Sequence, residues 1–257
     1  KQSYSISLQK IRLSGTDTTS NEIMTYDVDV TVVDSTANSY VVEWFYHNYK
    51  TNSTNEIVKK VIALSEDLKV RIETDEFGSI KGVQNWEEVA AYMKKSLAKV
   101  KNDFPEIPQF DQVLQQIEGM YTSKEAIETA AILDAHQFHS FHGGKYTKGE
   151  VLEYSMPVAN MFKPNKPFDS KVTLYLDEIN SSDNNVIIRS TQEVDPKQLS
   201  TATFEYLQSM AKTMDVPKPK KEDKVAVANV TTTASRIHET GWLIYSIQTK
   251  TIEVPGA

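Results

Sequence analysis

Three of the five histidines fall three residues apart in Asp134-Ala-His136-Gln-Phe-His139-Ser-Phe-His142, and this spacing is where chemistry would first be sought. Neutral imidazole is a common ligand for zinc, copper or nickel, and helical residues three apart can share an ion. Wound as a helix, the segment puts Ile127, Ala130, Ala131, Phe138 and Phe141 on one face, with Asp134 in its middle. The histidines drift across an adjoining face over about a turn and a half, so His136, His139 and His142 do not easily meet one ion. Imidazoles near a helix C-terminus are also favoured by the dipole alone. The three stand as metal candidates, but the expectation is no bound metal and no cofactor. Asp134 is a separate oddity, because a carboxylate on an apolar stripe is costly unless paired or hydrogen-bonded. A hydrogen bond from a neighbouring tyrosine or backbone N–H is expected there, in preference to a catalytic role.

Other motifs carry less. Ser96-Leu-Ala-Lys99 fits S-x-x-K, but its S-D-N and K-T-G companions are absent, and no G-x-S-x-G, H-E-x-x-H, P-loop or G-x-G-x-x-G occurs. Asp177, Asn180 and Asp183 cluster where a hairpin turn is expected, which is reason enough for Asx residues. Aromatic residues offer a different kind of site. Tyr40, Trp44 and Tyr46 share one strand face, and they could border a cleft with Phe138, Phe141 and a Pro-rich loop, 156–168, that contains Met161 and Phe162. Apolar area with a few hydroxyl and indole donors suits a lipid, peptide or glycan fragment. The competing reading is that these rings complete a dry core, in which case surface interaction becomes the better function.

The elements that must position these groups follow from periodicity. Hydrophobic residues at 39% and charged residues at 25% of 257 suit a packed globular chain. The net charge of −7 argues against nucleic acid or an anionic membrane as partner. The one basic stretch, Lys218, Lys220, Lys221 and Lys224, is broken by Pro219, Glu222 and Asp223 and reads as a solvated linker. No cysteine is present, which removes disulfides and thiolate chemistry, and no apolar run approaches the roughly 20 residues of a membrane-spanning helix.

Alternation with period two predicts strands at 4–8, 24–32, 40–46, 68–72 and 79–83, with Asp75-Glu76-Phe77-Gly78 as a turn. Asn85 with Glu88, and Thr122 with Glu125, read as capping boxes opening helices, the second running to about His142. Between them Phe110, Val113, Leu114 and Ile117 mark a short helix after a Pro-bounded break at 104–108. Period two returns at 151–156, 172–176, 186–191, 225–237 and 242–254. Asp195-Pro196 starts one more helix. Strands in two batches without βαβ alternation predict an α+β fold, with a large curved antiparallel sheet and a central helical block. The expectation is one domain over 1–257: strands at 4–83, helical block at 86–142, strands and one helix at 149–254.

Leu68-Lys-Val-Arg-Ile-Glu-Thr-Asp-Glu-Phe-Gly-Ser-Ile-Lys-Gly-Val-Gln-Asn-Trp-Glu-Glu-Val89 and His238-Glu-Thr-Gly-Trp-Leu-Ile-Tyr245 resemble stretches of uncharacterised exported proteins of Bacteroides-type bacteria. The resemblance implies a periplasmic or cell-surface setting, and the chain's opening on Lys1 rather than Met is what a product trimmed of an export signal, or of a lipid anchor carried before trimming, would show. It transfers no catalytic residue. The strand and helix layout is similar in kind to the half-barrels of lipoprotein carriers, where a curved sheet cups helices around an apolar pocket. The reading preferred from these residues is a non-enzymatic exported binding or scaffold protein. The alternative is a metal- or carboxylate-dependent hydrolase centred on Asp134 and the three histidines.

Overall fold

The computed structural model describes all residues except 104–109, 161, 164–165, 214–216, 218, 221–224 and 255–257. Among the described residues are ten strands, divided between two antiparallel five-stranded sheets, one curled as a half-barrel. The α+β class holds, and all ten predicted strands form. Continuity does not: the one large sheet expected from both batches is instead two. They lie in separate compact units, Lys1–Gly143 and Gly144–Ala257. Strands pair with their neighbours in sequence, and the helical block ends the first run of pairing before the second begins.

In the first unit, β1 (Gln2–Ser14), β2 (Asp17–Ser35), β3 (Ser39–Thr51), β4 (Lys69–Asp75) and β5 (Ile80–Val83) form a meander in chain order. Its register stacks the apolar set of each strand. Val30 lies opposite Trp44 and Trp44 opposite Val70, while Val42 faces Ile72 and Ile72 faces Val83. Alternation in sequence thus becomes one continuous buried face. Each Val or Ile buried there contributes about 1.5–3 kcal/mol relative to exposure. Between β3 and β4 lies α1 (Glu56–Ile62), whose first amides at Ile57 and Val58 are capped by Asn55.

The helical block packs on this unit. Helix α2 (Trp86–Asp103) buries Val89, Met93, Leu97 and Val100, a stripe at helical spacing. Asn85 does more than open it: its Oδ1 accepts from Arg71 N at 2.7 Å and its Nδ2 donates to Lys69 O at 3.0 Å. The expected cap is thus a clamp on β4. After α3 (Phe110–Gly119), the helix expected from Thr122 to His142 is three pieces: α4 (Lys124–Ala126), a π-helical turn (Ile127–Ala131) and α5 (Leu133–His139). The cap is Ser123, whose side chain accepts from Ala126 N, while the Thr122 hydroxyl bonds Gly119 O. Ile132, at φ −113° and ψ 41°, breaks the run before α5. The break at 104–108 expected from sequence lies outside the described residues.

In the second unit the sheet order is β10-β9-β8-β7-β6, from β6 (Val151–Val158), β7 (Phe168–Asn180), β8 (Asn185–Val194), β9 (Ala228–His238) and β10 (Leu243–Glu253). Helix α6 (Pro196–Thr213) starts where Asp195 accepts from Gln198 N at 2.8 Å. It contributes Leu199 and Ala202 to a core cluster with Phe168, Val194 and Val227. The buried Ser200 hydroxyl donates to Pro196 O and accepts from Val227 N, fixing the return of the chain to β9.

The turn between β4 and β5 tests how tightly the first unit is specified. Asp75 Oδ1 accepts from Phe77 N and Ser79 N, and Gly78 takes φ +87°. A Cβ on Gly78 would meet His142 Cδ2 at 2.7 Å, whereas Gly15, at φ +60°, has nothing within 4 Å. Gly15→Ala should therefore cost only the left-handed backbone penalty, about 1 kcal/mol. Gly78→Ala should cost about 2–4 kcal/mol, because strain and a clash add. Urea denaturation of both variants checks this; equal losses would mean that the imidazole moves aside freely.

Candidate functional site

The break at Ile132 sets Asp134 in the first turn of α5, facing the buried side of β2 and β3. Its Oδ2 accepts from the Tyr26 hydroxyl at 3.0 Å and its Oδ1 from the Tyr46 hydroxyl at 3.1 Å. The Ala135 backbone N–H donates to Oδ1 as well, at 2.9 Å. The expected tyrosine and amide partners are both present. Tyr26 and Tyr46 belong to adjacent strands, so one carboxylate bridges two strands and a helix.

Burial sets the charge state of this network. Desolvation raises the Asp134 carboxyl above the ordinary carboxylate range, and the hydrogen bonds from Ala135, Tyr26 and Tyr46 oppose that rise. Burial, and then the nearby Asp134 charge, push the Tyr26 and Tyr46 hydroxyls far above the usual phenol value. Tyr49, stacked on Tyr26 with ring centroids 4.8 Å apart, is raised in the same way. Phenols held this firmly protonated are donors, not bases. Asp134 in turn has its oxygens occupied, which leaves it poorly placed to exchange protons with a substrate.

The histidines part company. His136 is exposed and its Nε2 bonds the Glu128 carbonyl at 2.5 Å, while the buried His139 bonds the Gly78 carbonyl through Nδ1 at 2.8 Å. A carbonyl only accepts, so these ring nitrogens carry the protons. His139 Nε2 is then a bare, buried acceptor, without a hydrogen-bond partner among the described residues. Burial first, and then the neighbouring His142, depress the His139 pKa to about 3. His139 and His142 stand 5.1 Å apart by ring centroid. Among the described residues no group of three or more His, Asp or Glu is arranged to hold a metal ion.

The aromatic residues divide between core and surface. Trp44 is 2% exposed and meets Phe138 edge-on at 5.4 Å; Tyr4 meets the same ring at 5.5 Å. Tyr46, Phe138 and Phe141 are likewise buried, whereas Tyr40, at the end of the strand, is 39% exposed. Phe162 belongs to the second unit, against Tyr206 at 5.0 Å and the cluster around Phe168. Met161 lies outside the described residues. Sequence reasoning missed Tyr26 as a site residue. Its signal was available, a tyrosine on the apolar face of a strand, but nothing local pairs it with a carboxylate 108 residues away.

Asp134 and His139 give opposite pH signatures. The His139 pKa falls from 6.5 unfolded to about 3 folded, so it stabilises the native state above pH 6.5 and loses that stabilisation as pH falls toward 3. The slope is about 1.4 kcal/mol per pH unit inside that window. Asp134, raised above its unfolded 3.8, favours the native state at low pH and loses that contribution as pH climbs through its folded value. Denaturation between pH 3 and 7 should show His139→Gln flattening the acid limb and Asp134→Asn steepening it. At pH 7, Asp134→Asn should change stability by less than about 1 kcal/mol. Asp134→Ala should cost about 2–4 kcal/mol, since two buried hydroxyls lose their acceptor.

No protein-family model, curated protein or solved structure matches the chain, so its function has to be read from these side chains alone.

Proposed function

We propose that the protein is a non-enzymatic binding or scaffold protein, and that it recognises its partner through the outside of its sheets. One observation carries this reading: the groups that could have done chemistry are committed to the fold. Asp134 is held by two tyrosines and an amide, and His136 and His139 are each bound to a backbone carbonyl. Burial of Trp44, Tyr46, Phe138 and Phe141 supports recognition at a surface rather than in a cleft lined by those rings. Apolar side chains are meanwhile exposed along edge strands, including Leu152, Tyr154 and Met156 on β6 and Ile247 and Ile252 on β10. Of lipid, peptide and glycan ligands, an extended peptide or protein strand suits such edges best, because it satisfies open main-chain groups as well. The envelope setting belongs to the same proposal and rests on the resemblance of the two turn-containing stretches; fractionation of the native cells tests it.

One observation favours the hydrolase reading instead, the raised carboxyl of Asp134 beside phenol donors. A single experiment separates the two. The purified chain should give no turnover of model esters, phosphoesters, glycosides or peptides, with or without added zinc, calcium or magnesium. Turnover abolished by Asp134→Asn or His139→Gln, in a variant that remains folded, would overturn the scaffold reading.

A further inference from the structure

Strand β6 is an edge of the second sheet, and the hydrogen bonding of its neighbour β7 decides which way its main chain is aimed. Pro157 lies opposite Asp169 on β7. The Asp169 carbonyl accepts from Asp195 N at 2.8 Å, continuing the ladder between β7 and β8. In an antiparallel strand the N–H and C=O of one residue point to the same side, and neighbouring residues alternate. Asp169 therefore faces β8, and the nitrogen and carbonyl of Pro157 face the open edge. By the same alternation the N–H groups of Val151, Glu153 and Ser155 also point outward. Pro157 sits where its missing N–H costs the sheet nothing.

The side chains alternate in step. Leu152, Tyr154 and Met156 lie opposite the buried Leu174, Val172 and Ser170, so they extend the apolar face of the sheet to its margin, where they remain exposed. Charged side chains guard other long edges, Lys10 and Arg12 on β1 and Lys250 on β10. On β6 the one charge is Glu153, and Lys171 of β7 already holds it at 2.8 Å.

From this geometry we infer that β6 pairs, antiparallel and about a two-fold axis at Tyr154, with β6 of a second copy of the chain. That register sets Glu153 opposite Ser155, with both pairs of N–H and C=O groups exchanged, and Val151 N–H opposite the Pro157 carbonyl. Leu152 meets Met156 and Tyr154 meets its own copy, so the apolar ladder runs through the junction. Charge and donors select this register among its neighbours. Centring on Glu153 would oppose two carboxylates, and centring on Ser155 would set Glu153 against a proline without a donor. The result is a ten-stranded sheet across two copies, a self-complementary contact of the kind that two-fold dimers use.

This assignment deepens the scaffold reading, but it is read out as molecular mass and so fails independently of any turnover. Sedimentation velocity of the full chain over a wide concentration range should show a monomer–dimer equilibrium. Ser155→Pro removes an outward N–H and no bond to β7, and should weaken the dimer by about tenfold or more. Tyr154→Lys, at an exposed position, should do the same by opposing two ammonium groups, and it serves if the proline variant misfolds. Pro157→Ser restores an outward donor and should tighten the dimer. A chain that stays monomeric throughout, or a dimer indifferent to both Ser155→Pro and Tyr154→Lys, would overturn the inference.

Discussion

A buried carboxylate has to be satisfied, and in the first unit that requirement organises everything around it. Asp134 reaches two hydroxyls on two adjacent strands, so the helix that carries it cannot slide along the sheet without stranding one of them. Around this tie the apolar contacts are arranged in order: Phe138, one turn on, meets Trp44 and Tyr4. The next residue, His139, bonds the Gly78 carbonyl at the tip of the β4–β5 hairpin. Dispersion and burial supply most of the favourable free energy there, but they are not directional. Direction comes from the polar tie.

The same economy explains why the site has little chemistry to offer. A catalytic carboxylate needs an open lone pair or a proton it can deliver, and a catalytic imidazole must titrate near the working pH. Asp134 spends its lone pairs on donors that cannot ionise, and His139 is held neutral by burial far below the physiological range. Perturbed titration is often read as a sign of function. Here it accompanies hydrogen bonds that fix a helix on a sheet.

Strands were the legible part of this chain, and tertiary connection was not. Tyr4, Ile6 and Leu8, or Tyr26, Val28 and Val30, announce a strand by alternation alone, and the register lays the two sets side by side; the second set is buried, whereas along β1 Tyr4 and Ile6 are half-buried and Leu8 is exposed. Asp134 was legible as needing a partner, since its neighbours at helical spacing are apolar, but which tyrosines answer is a long-range fact. Helix α1 escaped because Ile57, Val58, Val61 and Ile62 read as strand-forming residues and the helix buries none of its side chains. Its cap, Asn55 followed by Glu56, was the usable signal. The division into two sheets was hidden for another reason: apolar alternation tells a strand which face is buried, not which strand lies at its edge.

The π-helical turn at Ile127–Ala131 has a consequence for how the chain could have arisen and how it can change. Such a turn is an α-helix carrying one residue more than its hydrogen-bond ladder accommodates. Removing one of those five residues would let the ladder close, but everything after it would rotate by about 100° and retreat by about 1.5 Å. Asp134 would then leave the tyrosines and Phe138 would leave Trp44 together. Length in this segment is therefore constrained more tightly than composition: many single substitutions between 127 and 131 keep the count, whereas a one-codon deletion unseats a whole face of the first unit.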